Sequence, residues 1–313
     1  MREKNEEVVT LDNKSVRVGA SAGSLSDTKL AYSYGADHIG LLRTEYTFSG
    51  DREFPGEEEQ TSRYTEIVEL LKGKPVTIRT FDAGGDKHSF FGTQQKDSNP
   101  YLGQRAIRLA LRFEHSFRAQ IRAILKSSVH GPVKLLIPLV TTVNEIKSVL
   151  SILNEEKNTL KKRGESYDPG LPIGIMLEVP SALFILPKLL QYIDFVTIGI
   201  NDFTQYILAA DRNNPKVSAL YSPVEPSVLI AVQQAVQTCR RAGTAVNICG
   251  EAVSHPEYLR FLLAMEPDEV NMYPQAVPLI KESIRHSSVE REKALLSKAL
   301  SCEGSNEIET LIF

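Results

Sequence analysis

Polar and reactive side chains stand at the ends of several predicted β-strands, where runs of apolar residues stop. They are of three kinds. Arginines bind phosphate or carboxylate groups through paired hydrogen bonds, carboxylates bind divalent cations, and a thiol can give or take a proton. The residues at five strand ends are Arg43-Thr44-Glu45, Arg79 with Asp82, Glu178, Asn201-Asp202 and Cys249-Gly250-Glu251. Because buried parallel strands are normally apolar throughout, polar residues at this many ends predict a functional site.

The types of these residues predict the chemistry of that site. Arg43 and Arg79 lie at neighbouring strand ends and indicate an anionic substrate. Glu178 and Asp202 end consecutive strands, so their carboxylates can converge on one point and form a magnesium-type site. The alternative is a pair of structural carboxylates that form salt bridges with the two arginines, and at this point both interpretations stay open.

Two further cations are weaker candidates for the same site. Lys87 follows a Gly-Gly turn in "FDAGGDK", which is typical of an anion-binding loop but is common in any turn. Arg212 lies ten residues after Asp202 and is equally typical of a surface arginine. The six histidines form no HxH or HExxH motif, and no GxSxG element is present. The sequence therefore does not favour metalloprotease or serine-hydrolase chemistry.

The three cysteines have no CxxC or metal-ligand spacing, which argues against a disulfide framework or a structural zinc site. Cys239 on a predicted helix is expected in the core, and Cys302 is expected to be exposed. Cys249 ends a strand close to the arginines and the predicted metal site, where a thiol can transfer a proton.

The pattern of the whole chain predicts a scaffold that brings strand ends together. Short β-rich runs alternate with stretches of helical apolar spacing, as in parallel strands joined by helices. The predicted strands cover residues 15–23, 38–46, 75–82, 133–140, 173–179, 195–202, 245–251 and 269–274. Eight such units predict an α/β fold, a (β/α)8 TIM barrel, with its chemistry at the C-terminal ends of the strands. We expect an N-terminal tail at 1–14, the barrel at 15–287, and a C-terminal helix and tail at 288–313.

The composition is that of a soluble globular protein, with 42% hydrophobic and 24% charged residues in a chain of 313. The net charge of −3 favours neither nucleic acid nor an anionic membrane as a partner. The N-terminus lacks the apolar stretch of a signal peptide, and no apolar run is long enough for a membrane span. We therefore expect a cytoplasmic protein without nucleic-acid or membrane partners.

Seven motifs in order along the chain carry a resemblance to a known family. They are "GADHIGLLRTEYTF", "PVTIRTFDAGGDK", "NPYLGQRAIR", "IGIMLEVPSA", "IGINDFTQYILAADRNN", "LYSPVEPSVL" and "NICGEA". From about residue 8 to about residue 287 the chain resembles the phosphoenolpyruvate (PEP)-binding domain of enzyme I of the bacterial phosphotransferase system, in the PEP-utilising enzyme family. The resemblance implies a barrel of the PEP/pyruvate-domain type.

The resemblance implies a role for each matching residue. The implied PEP-binding residues are Arg43, Arg79, Lys87, Arg105, Asn201, Asp202 and Arg212. The implied Mg²⁺ ligands are Glu178 and Asp202. Cys249 is the implied proton donor to the methylene carbon of enolpyruvate.

The same resemblance implies an activity. It is the Mg²⁺-dependent transfer of the phosphoryl group of PEP to a histidine on a separate domain, which yields pyruvate as the first step of sugar uptake. The implied partners are that phosphohistidine domain, a histidine-containing phosphocarrier protein and a second copy of the chain in a homodimer. No Thr-Ser-His-type motif surrounds any of the six histidines. We therefore expect that this chain does not complete the transfer alone.

Departures from the family pattern are small. The chain has Glu178-Val179-Pro180 where the family usually has Glu-Thr-Pro, and Ile200 and Phe203 flank Asn201-Asp202 where it usually has Thr and Leu. The first strand has Ala20-Ser21-Ala22 where the family favours an asparagine. The ligand-type residues are kept, so we expect the chemistry to be kept.

Two other functions stay open. One is the corresponding half of a pyruvate phosphate dikinase or PEP synthase, although those relatives tend to follow Cys-Gly-Glu with a histidine and glycines, and this chain has Ala252-Val253-Ser254. The other is a PEP-sensing domain without turnover.

Overall fold

Eight strands form where the sequence predicts them, at runs rich in β-branched and aliphatic residues. The computed structural model describes residues 8–47, 54–84 and 98–312. The strands in these ranges are β1 Arg17–Ala22, β2 Ile39–Arg43, β3 Val76–Arg79, β4 Val133–Ile137, β5 Ile173–Leu177, β6 Phe195–Gly199, β7 Ala245–Cys249 and β8 Glu269–Met272. They are shorter than predicted because the polar residues at their ends turn into loops or helices, as at Thr44, where a helix begins directly after β2.

The strands close into a barrel. Each strand pairs in parallel with the next, and β8 pairs back with β1, with Arg17 opposite Glu269. The closed order β1 to β8 brings all eight C-terminal strand ends to one rim. The predicted (β/α)8 barrel is confirmed.

Fourteen α-helices in the described residues connect and surround the strands. They are α1 Leu25–Ser33, α2 Thr44–Thr47, α3 Glu57–Leu70, α4 Ile107–Arg112, α5 Glu114–Ser127, α6 Val143–Arg163, α7 Pro180–Phe184, α8 Leu186–Leu189, α9 Ile200–Leu208, α10 Pro226–Ala242, α11 Pro256–Ala264, α12 Val277–Arg285, α13 Val289–Ala299 and α14 Ser305–Ile312. Local signals define their ends: Thr142 and Glu145 form a capping box at the start of α6, and Gly243 caps the C-terminal end of α10. No helix among the described residues is long and apolar enough to cross a bilayer.

Inward-pointing strand residues fill the barrel in layers, because successive side chains of a strand point to opposite faces. Four of them, Leu41, Leu136, Met176 and Phe195, form a buried apolar cluster that contacts Cys249 at the end of β7. We call these four residues the apolar floor. Leu41 and Met176 of this cluster also line the cavity at the C-terminal rim.

A buried carboxylate lies near the N-terminal ends of the strands. Oε1 of Glu269 lies 2.8 Å from Nη2 of Arg17 and 3.6 Å from Nζ of Lys134, and Oε2 lies 3.0 Å from Nε2 of His38. Burial raises the pKa of Glu269, but the contacts with His38, Lys134 and Arg17 outweigh it and lower the pKa to about 2. These contacts lie at the end of the barrel opposite the rim.

Residues on both sides of the barrel sequence meet near the start of β1. Val9 forms an antiparallel bridge with Ser15. The carboxylate of Asp12 accepts hydrogen bonds from the backbone N–H groups of Val289 and Glu290, at 3.1 and 3.0 Å. Asp12 therefore satisfies free N–H groups in the first turn of α13.

Close packing inside the barrel leads to a test of the fold. A Cβ atom at Gly174 on β5 would lie 2.6 Å from ring carbons of Phe195 on β6, whereas one at Gly170 would meet its nearest neighbour, Oδ1 of Asp168, at 3.4 Å. We expect Gly174→Ala to lower the free energy of unfolding by about 1–3 kcal/mol, because the ring must shift within a filled core. Gly170→Ala, the control, should change it by less than about 0.5 kcal/mol. Urea denaturation of both variants checks this, and equal stabilities would contradict the packing described.

Candidate active site

A cavity of about 230 Å³ lies at the C-terminal rim of the barrel. Its wall includes residues at or near the ends of every strand except β4. Seven of the predicted site residues line it: Arg43, Arg79, Glu178, Asn201, Asp202, Arg212 and Cys249. Arg105 is buried and is not part of this wall. Lys87 lies outside the described residues.

Arg79, at the end of β3, is fixed by two carboxylates. Its Nη2 donates a hydrogen bond to Oε1 of Glu45, and its Nη1 lies 3.2 Å from Oδ2 of Asp82. Nη1 also contacts Sδ of Met176 at 3.5 Å. Burial alone would lower the pKa of Arg79, but Glu45, Asp82 and Glu178 outweigh it and raise the pKa, so the guanidinium stays charged.

Arg105 lies just before α4 and joins two carboxylates. Its Nη2 is 3.0 Å from both oxygens of Asp82 and 2.9 Å from Oδ2 of Asp202. Its Nη1 donates to the hydroxyl of Tyr206 at 3.2 Å. Only 1% of the Arg105 side chain is exposed. The guanidinium is therefore a buried bridge between the ends of β3 and β6.

The same pattern continues to Arg212, whose Nη1 donates to Oδ1 of Asp202 at 2.9 Å. Both oxygens of Asp202 are thus bonded to arginines. Acidic and basic groups alternate along one line of contacts, which we call the charge chain: Glu45, Arg79, Asp82, Arg105, Asp202 and Arg212. The alternative of salt bridges from Glu178 and Asp202 to Arg43 and Arg79 is not what the described residues form: Arg79 pairs with Glu45 and Asp82, and Asp202 pairs with Arg105 and Arg212.

Glu178 is a buried carboxylate that faces the cavity without an arginine partner among the described residues. Its Oε1 accepts a hydrogen bond of 2.7 Å from the backbone N–H of Leu139. Its Oε2 lies 2.9 Å from the point where a Cβ of Gly199 would be, so a side chain on Gly199 would displace it. Burial, followed by the charges of Asp202 and Asp82, raises the pKa of Glu178 to about 8.

Glu178 and Asp202 fit a divalent cation that keeps several non-protein ligands. Both carboxylates line the same cavity, and their mutual repulsion is one cause of the raised pKa of Glu178. No group of three or more His, Cys, Asp or Glu side chains among the described residues is placed to hold a metal alone. Two carboxylates with space for substrate oxygens and water are the arrangement that Mg²⁺ prefers.

The end of β7 is held against the start of α9. Oδ1 of Asn201 accepts a hydrogen bond of 3.0 Å from the backbone N–H of Glu251. Gly250 lies between Cys249 and Glu251 in the chain and has φ +134°, a backbone conformation that residues with a side chain rarely adopt. A Cβ atom at this position would lie 2.7 Å from Oδ1 of Asn201. Gly250 therefore permits the turn that directs Cys249 and Glu251 to one cavity.

Cys249 is 3% exposed, and its side chain rests on the apolar floor. Burial raises the pKa of its thiol to about 12, although the charges of Arg79 and Arg43 act in the opposite direction. The thiol is therefore protonated at neutral pH, in the form that can donate a proton.

Two tyrosines flank Arg43 at the mouth of the cavity, and neither was among the predicted site residues. Cζ of Arg43 lies 4.8 Å from the ring centre of Tyr46 and 5.9 Å from that of Tyr273. Such contacts hold a guanidinium over an aromatic face. The hydroxyl of Tyr273 donates to Oε1 of Glu251 at 3.2 Å. Tyr273 follows β8, and its position at a strand end was the one feature that could have identified it.

Comparison with known proteins identifies the family of the chain. The family model described as "PEP-utilising enzyme, PEP-binding domain" matches residues 1–289. A phosphoenolpyruvate-protein phosphotransferase of Buchnera aphidicola from Acyrthosiphon pisum is 38% identical over 309 residues, which cover 99% of this chain and 54% of that protein. The corresponding protein of Cupriavidus necator is 39% identical, with 96% of this chain and 52% of that protein covered.

A longer relative shares the same region. Multiphosphoryl transfer protein 1 of Escherichia coli K12 is 37% identical over 96% of this chain and 36% of that protein. The chain spans about half the length of the two phosphotransferases.

Among solved structures, a citrate lyase from Burkholderia xenovorans LB400 superposes with a TM-score of 0.56 at 13% identity, covering 99% of this chain and 92% of that one. At this identity the likeness concerns the fold alone. The family match covers nearly the whole barrel, and the chain therefore belongs to the PEP-binding domain family of the PEP-utilising enzymes.

Proposed function

We propose that this chain is the PEP-binding catalytic domain of a phosphoenolpyruvate-protein phosphotransferase, an enzyme I. It uses Mg²⁺ and transfers the phosphoryl group of PEP to a histidine on a separate domain, leaving pyruvate, as the first step of sugar uptake. One observation carries the proposal: arginines, a carboxylate pair and a protonated thiol line a single cavity at the barrel rim. The 38% identity to a named phosphotransferase supports it.

The substrate is held by groups that donate hydrogen bonds to oxyanions. Arg43, Arg79 and Arg212 line the cavity and bind the phosphate and carboxylate of PEP, and Asn201 adds an amide donor. Lys87, outside the described residues, stays a prediction for the phosphoryl group. Arg79 and Arg212 already have carboxylate partners, so their guanidinium groups are oriented before the substrate arrives.

Arg105 does not line the cavity but bonds to carboxylates of the same site. Because it donates to Asp82 and Asp202 and is buried, we propose that it supports the phosphoryl site by fixing these two carboxylates. Asp202 in turn orients Arg212 and provides a metal ligand.

The charge of the cavity explains why a cation is needed. In the described part of the chain, three arginines and four acidic side chains line the wall, so these residues alone do not make it positive. We propose that Glu178 and Asp202 hold the metal. When bound, Mg²⁺ supplies positive charge next to the phosphate and to the enolate oxygen that forms as the phosphoryl group leaves.

Cys249 donates the proton that converts the enolate to pyruvate. When the bond between phosphorus and the enol oxygen breaks, its electron pair stays on the oxygen, and the methylene carbon of the enolate takes the thiol proton to become the methyl group of pyruvate. The charges of Arg79 and Arg43 lower the pKa of the thiol against the effect of burial, and they favour the thiolate that remains.

We propose the partners and setting that the family implies. They are a phosphohistidine domain and a histidine-containing phosphocarrier as acceptors, a homodimer and a cytoplasmic location. The absence of a Thr-Ser-His-type motif in this chain supports an acceptor histidine on another domain.

The metal site can be tested by calorimetric titration with PEP, with and without Mg²⁺. Glu178→Gln keeps an acceptor for the N–H of Leu139 but removes the charge. We expect wild-type binding to depend on Mg²⁺, and the variant to bind PEP at least about tenfold more weakly in its presence, because a ligand is lost.

The exposed Glu282→Gln serves as the control, since Glu282 is 61% exposed on α12 and does not line the cavity. Wild-type PEP binding of equal strength with and without Mg²⁺ would contradict the proposed role of the carboxylate pair.

The proton step can be tested without an acceptor. The chain accelerates the exchange of the methyl protons of pyruvate with deuterium above the rate in buffer only if the site forms the enolate, and NMR follows this exchange. We expect Cys249→Ala to slow the exchange by about 10²- to 10⁴-fold, the usual contribution of a positioned proton donor, and to change PEP binding far less.

Cys239→Ala removes a buried thiol on α10 and is the matched control, since Cys239 is not part of the cavity wall. Exchange at the wild-type rate in Cys249→Ala would remove the thiol from the reaction. A wild-type chain that binds PEP and catalyses no exchange would instead indicate a PEP-sensing domain.

A further inference from the structure

Glu251 is an exposed carboxylate at the mouth of the cavity that binds the anionic substrate in the proposed function. It follows Gly250 after β7 and lines the same wall as Cys249 and Arg43. A negative charge in this place weakens the binding of a phosphate by repulsion. Its presence therefore needs a reason other than PEP binding.

The other acidic residues of the wall have evident partners. Glu45 and Asp202 are bonded to arginines, and Glu178 accepts a backbone N–H. Glu251 differs: among the described residues, no lysine, arginine or histidine forms an ion pair with it, and its one side-chain partner is the hydroxyl of Tyr273 on Oε1. Its Oε2 accepts no hydrogen bond in the described part of the chain.

The position of Glu251 is nevertheless fixed. Its backbone N–H is bonded to Oδ1 of Asn201, and Tyr273 holds one carboxylate oxygen. The ring of Tyr273 lies 5.9 Å from Cζ of Arg43. An exposed carboxylate with one oxygen anchored, and the other without a hydrogen bond among the described residues, is suited to receive an N–H donor that comes from outside.

The acceptor in phosphoryl transfer to histidine is such a donor. One imidazole nitrogen attacks phosphorus with its lone pair, while the other carries a proton. As the new bond between nitrogen and phosphorus forms, the ring becomes positive and its N–H becomes a stronger donor. A carboxylate bonded to this N–H fixes the tautomer, orients the ring and stabilises the positive charge.

We propose that Glu251, anchored by Tyr273, accepts a hydrogen bond from the N–H of the acceptor imidazole and orients it for attack on PEP. The inference rests on the proposed function. In the step, the bond between nitrogen and phosphorus forms and the bond between phosphorus and the enol oxygen breaks. The enolate keeps the electron pair, and the N–H proton stays on the ring.

Two small acceptors of equal size test the contact. 4-Methylimidazole carries an N–H group opposite its nucleophilic nitrogen, and its isomer 1-methylimidazole has a methyl group in place of that N–H. Each is added to the whole chain with PEP and Mg²⁺. Phosphorus NMR follows the loss of PEP, and proton NMR follows the formation of pyruvate.

We expect 4-methylimidazole to accelerate pyruvate formation, and 1-methylimidazole to do so at least about tenfold less, since a hydrogen bond to a charged group contributes roughly this much. Glu251→Gln should reduce the rate with 4-methylimidazole to about the level of the isomer. It should not weaken PEP binding, because it removes a repelling charge. A carboxylate with only a structural role would give no such split between acceptor use and PEP affinity.

Tyr273→Phe removes the anchoring hydroxyl and should lower the rate with 4-methylimidazole to a smaller extent. Glu257→Gln, six residues further along the chain and outside the cavity wall, is the control and should behave as the wild type.

The outcomes distinguish a failure of the proposed function from a failure of the role of Glu251. If the wild-type chain neither binds PEP nor exchanges pyruvate protons, the proposed function fails. If it does both, but 4-methylimidazole does not accelerate pyruvate formation, or the two isomers react equally well, or Glu251→Gln keeps the preference, then the role of Glu251 is overturned and the proposed function stands.

Discussion

The site depends on the charge chain, in which three arginines and three carboxylates alternate across the barrel rim. A buried charge is tolerated only when it is paired, and removing one partner leaves the other uncompensated, at a cost of about 3–5 kcal/mol. Each member therefore depends on its neighbours. Arg105, which is 1% exposed and bonded to both Asp82 and Asp202, connects the β3 side of the chain to the β6 side. The arginines at the cavity are oriented by this connection and need little rearrangement when a substrate arrives.

The closed sheet makes such a chain possible. Consecutive parallel strands end at the same rim, so residues far apart in the sequence, such as Glu45 and Asp202, belong to one continuous set of contacts. The chain contains as many acidic as basic groups, and it contributes organisation rather than net charge. Selectivity for a multiply charged anion has to come from the groups outside it: Arg43, held by two tyrosines, and the cation that Glu178 and Asp202 are proposed to share.

The sequence was sufficient for the scaffold and for most of the cavity wall. The apolar runs located the strands because each strand is buried on both faces. A polar residue that follows such a buried run lies at the end of the strand, and therefore at the rim of the barrel. The position of Arg105 could not be obtained in this way, since it depends on how the residues just before α4 pack against α9. Tyr46 and Tyr273 are common aromatic residues, and only packing reveals that they flank Arg43. Glu251 was visible at a strand end, but only the folded rim reveals that no cationic side chain among the described residues forms an ion pair with it.

The apolar floor has a consequence for the order of events. Leu41, Leu136, Met176 and Phe195 are buried inside the barrel. Because the interior of such a barrel is a packed core and not a pore, molecules that enter from the mouth must also leave by the mouth. In the proposed reaction, PEP has to bind before the acceptor histidine occupies this passage, and pyruvate can depart only after the phosphorylated acceptor has withdrawn. The enzyme would then follow a compulsory order, and an excess of acceptor would trap pyruvate and slow turnover.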